Sequence, residues 1–179
     1  MANVRLVLRE LRKQAVSHVI GLPDNSSAAL FSILAAEGDP RLIKVTREGE
    51  AFAVAAGLWL GGKTPVVLIQ NTGLLESGDS FRGTVLRMRV PLVCLITYRG
   101  YAKLTRHRFP PRPEHLNAEV LSRPGLDSVA LMTEPTLRAW NLPFVFLHGD
   151  EDIPKIGESF SRAEELSQPV AILITEDLR

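Results

Sequence analysis

The chain has 179 residues, 45% of them hydrophobic and 23% charged, the make-up of one compact domain that needs neither a metal nor a disulfide staple. Its 21 Lys and Arg nearly balance 20 Asp and Glu, so the overall charge points to neither nucleic acid nor an anionic membrane. The single Cys94 excludes an internal disulfide framework, and the longest apolar stretch, about residues 51–60, falls well short of a bilayer span. The opening MANVRLVLRELRKQA has no apolar leader core and reads as an amphipathic helix. A cytoplasmic globular domain is the expectation.

Along the chain, apolar runs alternate with helical patterns. Val4, Val7, Leu8, Leu11 and Ala15 place apolar groups on one face of a first helix. A strand over 16–20 runs into the turn Gly21-Leu-Pro-Asp-Asn25, and Asn25 or Ser26 can cap a second helix that stops before Gly38-Asp-Pro40. A strand over 42–46, a helix over 48–60 closed by Gly61-Gly62, and a strand over 65–70 follow. Asn71-Thr72-Gly73 opens a further helix expected to run to Met88, and 91–97 is a nearly continuous apolar strand. Residues 98–126, with prolines at 110, 111, 113 and 124, break the pattern and read as a long, basic, Pro-rich loop with at most short helical pieces. A helix over 133–141, a strand over 143–147, a helix over 156–166 and a strand over 169–174 complete the chain. Strands rich in Val, Ile and Leu, separated by helices, predict a three-layer α/β/α domain spanning 1–179 around a six-stranded, mainly parallel sheet.

Ligands of such sheets bind beyond the carboxyl ends of the strands. Three turns there carry chemistry: Gly21-Leu-Pro23-Asp24-Asn25, Thr46-Arg47-Glu48-Gly49-Glu50 and Gln70-Asn71-Thr72-Gly73. Each also has a plain structural reading: Glu48 and Glu50 as first-turn acids that complement a helix dipole, Asp24 and Asn71 as turn and cap residues. The four histidines lack ligand spacing, with His18 inside a strand and His148 at a strand end, and Cys94 reads as a core thiol. Arg99, Lys103, Arg106, Arg108 and Arg112 form an acid-free run. That run reads as a solvated basic loop, a guide for a dianionic substrate, or a contact for an acidic partner.

Glu48 followed by Ala51, Ala53, Ala55, Ala56 and Gly57 resembles the helix of the pyrimidine-binding (Pyr) domain of thiamine diphosphate enzymes. The three turns in order, with Pro113-Glu114-His115 after Tyr98-Arg99-Gly100, are similar to the sulfopyruvate and phosphonopyruvate decarboxylase subgroup. The resemblance implies that Glu48 donates a hydrogen bond to N1′ of the aminopyrimidine and favours its imino tautomer, whose 4′-imino group can take the C2 proton. It implies that Pro23, Asn71, Thr72 and Gly73 line the pyrimidine site, and that Asp24 and His115 are candidates for substrate protonation or binding. Glu50 points roughly 200° away from Glu48 around the helix and does not fit the cofactor role.

Members of this family also need a diphosphate-binding unit whose Gly-Asp-Gly and downstream Asn ligate Mg²⁺ through oxygen. Gly149-Asp150-Glu151 and Gly78-Asp79-Ser80 both fail that pattern, since no Asn follows Asn141 and the next Asn after Asp79 is Asn117. No metal site is therefore expected in this chain. By resemblance it is the α subunit of a two-subunit 2-oxoacid decarboxylase, inactive alone. A separate β subunit would supply Mg²⁺ in a hetero-oligomer with Pyr–Pyr contacts. The alternatives are a carboligating lyase subunit of the same family and a degenerate Pyr-like domain that only docks a partner. An unrelated nucleotide binder is disfavoured because no GxGxxG or P-loop follows any strand.

Overall fold

The computed structural model describes residues 1–179. In chain order the elements are α1 (Val4–Lys13), β1 (His18–Gly21), α2 (Ala28–Glu37), β2 (Arg41–Lys44), α3 (Glu48–Leu60), β3 (Pro65–Gln70), α4 (Asn71–Glu76), α5 (Gly78–Phe81), β4 (Val93–Thr97), α6 (Tyr101–Arg106), α7 (Ala118–Leu121), α8 (Ser128–Ala139), β5 (Phe144–Leu147), α9 (Pro154–Leu166) and β6 (Val170–Ile174). The six strands form one sheet in the order β2-β1-β3-β4-β6-β5, every neighbouring pair parallel. The expected three-layer α/β/α architecture is the observed one.

Alternation along the central strands explains the two layers. Val67, Ile69, Cys94, Ile96, Ala171 and Leu173 face one core, into which α3, α4, α5 and α8 pack. Their neighbours Val66, Leu68, Val93, Leu95, Val170 and Ile172 face the other, against α1, α2 and α9. Because both faces are covered, β3, β4 and β6 are almost wholly buried, whereas the edge strand β2 is not. The outer edge of β5 is masked by an ion pair: Lys155 donates to the Phe146 carbonyl (3.1 Å) while Asp152 accepts from the His148 N–H (2.8 Å). No helix is long and apolar enough to cross a membrane.

Two helices depart from the sequence expectation. The helix expected from Asn71 to Met88 is interrupted at Ser77, where the buried hydroxyl bonds back to the Gly73 carbonyl (2.5 Å); the chain resumes as α5 and a π-helical turn over Arg82–Leu86. A four-residue helix has no stability of its own. Phe81 holds it, edge-on to Phe52 of α3 (5.0 Å) and stacked on Trp140 (4.9 Å). Helix α8 begins at Ser128 rather than Thr133, because Asp127 caps it (Oδ1 to Val129 N, 3.1 Å), which leaves Pro135 inside the helix. Burial of Ala130, Leu131 and Leu137 offsets the lost N–H. Within 98–126 the chain forms α6, a 3₁₀ turn at Pro113–His115 and α7.

Gly21 ends β1 so close to β3 that a Cβ there would overlap the Leu68 carbonyl oxygen. Gly21→Ala is expected to lower unfolding stability by about 1–3 kcal/mol or more, read as a shift in the urea midpoint; an unchanged midpoint would contradict this packing.

Candidate functional site

The chain leaves β1 through α2 on one face and returns from β2 through α3 on the other, so β1 and β3 flank a topological switch point. Ligands of open α/β sheets bind at such points, beyond the strand ends. The three chemically loaded turns meet there.

The first-turn acids of α3 divide their tasks. Glu50 reaches back over the helix start, its carboxylate accepting from Thr46 N (3.0 Å), Arg47 N (3.4 Å) and the Thr46 hydroxyl (3.2 Å). These backbone donors hold its carboxyl below the usual range. Glu48, at the first helical position and half-buried, enters no hydrogen bond or ion pair of the chain; the neighbouring Arg47 pairs instead with Glu76. The Glu48 side chain lies against the backbone of Gly73, where a Cβ would overlap it, with Oε1 only 2.5 Å away. Glycine at 73 is therefore what lets this carboxyl occupy the crevice. On the far side of the same turn, Gly49 lies close to Ser80 and its carbonyl accepts the Ser80 hydroxyl (2.6 Å), which fixes α3 on α5.

Asp24 is bound into the first turn. Oδ1 accepts from Ser26 N (2.7 Å) and Ser27 N (3.2 Å), and Oδ2 from the hydroxyls of Ser27 (2.9 Å) and Thr97 (2.8 Å). Asp24, rather than Asn25 or Ser26, thus organises the start of α2. Pro23 is exposed at the lip of the turn. Asn71 is wholly buried; its Nδ2 donates to the Arg99 carbonyl (3.1 Å) and the Thr133 hydroxyl (3.0 Å), and Oδ1 is the one buried side-chain polar atom without a partner. Thr72 is exposed and donates to Gln70 Oε1 (3.0 Å).

Glu48, Asn71, Thr72, Gly73 and Asp24 are thus gathered at the ends of β1, β3 and β4. His115 is not among them: it sits in the 3₁₀ turn, Nδ1 at 3.3 Å from the Pro110 carbonyl and its ring edge-on to Phe109. His18 pairs with Ser17 (2.9 Å), and burial with nearby Arg41 and Lys63 lowers its pKa. His148 stacks on Phe146 and bonds Thr175 (2.8 Å). Cys94 is buried in the core and its thiol pushed up by desolvation. The sequence reading missed Thr97 as the partner of Asp24. Its signal is a hydroxyl ending an otherwise apolar strand.

These residues fit the aminopyrimidine end of thiamine diphosphate: a carboxyl with no internal partner rests against a glycine at a strand-end crevice. In a helical turn a Gly→Ala change ordinarily stabilises slightly. Gly73→Ala is expected to stay folded by circular dichroism yet bind thiamine diphosphate at least about tenfold more weakly, measured by isothermal titration with Mg²⁺ and whatever chain copurifies with the protein. Undiminished affinity would dissociate the glycine from the cofactor.

Comparison with known proteins bears on the same region. A family model described as "Thiamine pyrophosphate enzyme, N-terminal TPP binding domain" matches residues 1–118, thiamine pyrophosphate being another name for thiamine diphosphate. Phosphonopyruvate decarboxylase of Streptomyces hygroscopicus is 35% identical over 100 residues, 56% of this chain and 25% of that protein. Sulfopyruvate decarboxylase subunit alpha of Methanococcus maripaludis is 30% identical over 97 residues, 54% of this chain and 58% of that subunit. The matches thus cover only part of these relatives' own length. Benzoylformate decarboxylase from Polynucleobacter necessarius superposes over 100% of this chain and 32% of its own, with TM-score 0.68 and 19% identity, a likeness of fold. With the match running through all three turns of the crevice, the chain belongs to the family of thiamine pyrophosphate enzyme N-terminal binding domains.

Proposed function

We propose that residues 1–179 act as a single Pyr unit, the cytoplasmic α subunit of a two-subunit thiamine diphosphate-dependent decarboxylase acting on a small 2-oxoacid such as sulfopyruvate or phosphonopyruvate. The observation that carries this reading is the Glu48 carboxyl, unpaired within the chain and seated on Gly73. The names of the relatives agree with it. When bound, the cofactor supplies an electron sink for the pair released as CO₂ departs. Glu48 holds a proton toward the ring nitrogen N1′ of the aminopyrimidine. A half-buried carboxyl with no partner inside the chain is free to meet that nitrogen. Gly73 and the Thr72 hydroxyl line the ring's approach. Asp24 and Asn71, committed to their hydrogen bonds, keep the strand ends in register, and His115 belongs to the adjoining segment rather than to the proton path.

The metal and diphosphate fall to a β subunit in this reading. The Asp of the imperfect Gly149-Asp150-Glu151 motif is already engaged, accepting from the Asn3 N–H (2.6 Å), and the nearby Asp152 pairs with Lys155 (2.6 Å). Helix α3 offers a surface for Pyr–Pyr association. From Ala51 to Leu60 it carries no charged side chain, yet Ala53, Gly57 and Leu60 face solvent, Leu60 at 68% exposure. A helix apolar all round is ordinarily covered.

The chain purified with its β partner, Mg²⁺ and thiamine diphosphate should release CO₂ from one of a panel of 2-oxoacids. Glu48→Gln should cut kcat by roughly 10²–10⁴-fold while the complex elutes unchanged; equal turnover of wild type and variant would remove Glu48 from this role. Leu60→Asp should shift the assembly to a smaller species in sedimentation, because it buries a charge in the α3 contact; unaltered sedimentation would place the Pyr–Pyr surface elsewhere.

A further inference from the structure

One cavity of the crevice is not used by the proton path. It measures about 340 Å³ and opens beyond the ends of β3, β4 and β6. Its polar lining includes Asn25, Gln70 and Arg99, and Arg99 is the only cation in it. The two acids on its rim are already paired: Glu176 accepts from the N-terminal ammonium (2.6 Å), and Asp177 from the Ser26 hydroxyl (2.8 Å) with Arg179 at 3.6 Å. Gln70 takes the Thr72 hydroxyl on its oxygen (3.0 Å), which leaves the amide nitrogen as a donor.

Arg99 is held at three points. The buried Asn71 amide grips its backbone carbonyl (3.1 Å). Asp127, itself tied to the start of α8, stands 3.2 Å from its Nε, and neither terminal guanidinium nitrogen enters a hydrogen bond of the chain. Gly100, at φ +87°, allows the next residue to press against α8, where a Cβ would stand 2.8 Å from both Ala130 and Asp127. The guanidinium, 59% exposed, is thus held through its Nε beside a cavity whose lining also carries the Asn25 and Gln70 amides.

We propose that Arg99 is the specificity residue for the second acidic group of the substrate, a tetrahedral sulfonate or phosphonate, bound through its two terminal nitrogens with the Gln70 amide alongside. A planar guanidinium matches an oxyanion in a two-pronged fashion that an ammonium does not. Gln70, which lines the cavity, directly precedes the Asn71–Gly73 turn against which Glu48 rests, so the cavity adjoins the corner where the cofactor would lie. This inference rests on the decarboxylase reading for its substrate class but not for its anion site.

The test uses the holoenzyme purified with its partner, in wild-type, Arg99→Ala, Arg99→Lys and Arg106→Ala forms. Arg106 is exposed on α6 and outside the cavity, so it reports any diffuse effect of surface charge. Two quantities are read: kcat/KM for phosphonopyruvate or sulfopyruvate divided by that for pyruvate, and the affinity for 3-phosphonopropanoate, which lacks the reactive carbonyl, by titration calorimetry. Arg99→Ala is expected to lower both the ratio and the affinity by about 10- to 100-fold, with little recovery in Arg99→Lys and no change in Arg106→Ala. A ratio untouched by Arg99→Ala, or lowered equally by Arg106→Ala, would overturn the assignment. Absence of turnover with every acid would sink the decarboxylase reading. In that case Arg99-dependent binding of 3-phosphonopropanoate would still support the anion site, and Arg99-independent binding, or no binding, would remove it.

Discussion

The site depends on one steric fact: the Glu48 side chain occupies the space that any side chain at position 73 would need. A carboxyl at a helix start is ordinarily drawn into capping the helix's free N–H groups. Here that demand is met by Glu50, and the nearest cation, Arg47, is taken by Glu76. Glu48 is thereby left without an internal partner in a half-buried crevice, free to meet a ligand rather than serve as scaffold.

The rest of the molecule holds that corner in place. Helix α3 bears on the sheet through Ala51, Phe52, Ala55 and Ala56, all buried. Small residues bring its axis close, and Phe52, Phe81 and Trp140 link it to α5 and α8. The break at Ser77 lets the chain after Gly73 change direction, so that α5 meets the first turn of α3 through Ser80 and Gly49. On the β4 side, Asp24 to Thr97 and Asn71 to Arg99 join turns distant in sequence into one polar belt around the strand ends. Such contacts cost flexibility but hold the strand-end turns in place.

Charge is distributed to match. The overall balance is near neutral, yet the crevice separates the unpaired Glu48 at the β3–α3 corner from the Arg99 guanidinium, paired with Asp127, at the β4 end. The rim acids Glu176 and Asp177 are engaged by the N-terminal ammonium and the Ser26 hydroxyl.

Much of this was legible from local pattern. Runs of Val, Ile and Leu separated by helical periods specify strands buried on both faces, and hence a parallel sheet with two helical layers, because side-chain alternation and hydrophobic burial act on near neighbours in the chain. The turn chemistry at residues 21–25, 46–50 and 70–73, and the divergence of Glu48 from Glu50, follow from helix geometry alone. What local pattern could not supply were choices made between distant segments: that Asp24 spends its carboxylate on Thr97, that Asn71 turns inward to Arg99 and Thr133, that the helix after Gly73 breaks at Ser77, that α8 starts at Asp127 with a proline in its interior, and that His115 lies apart from the crevice. Each was decided by which groups the finished packing left within hydrogen-bonding distance, and a polar side chain has no way to select its partner until the fold has brought the candidates together.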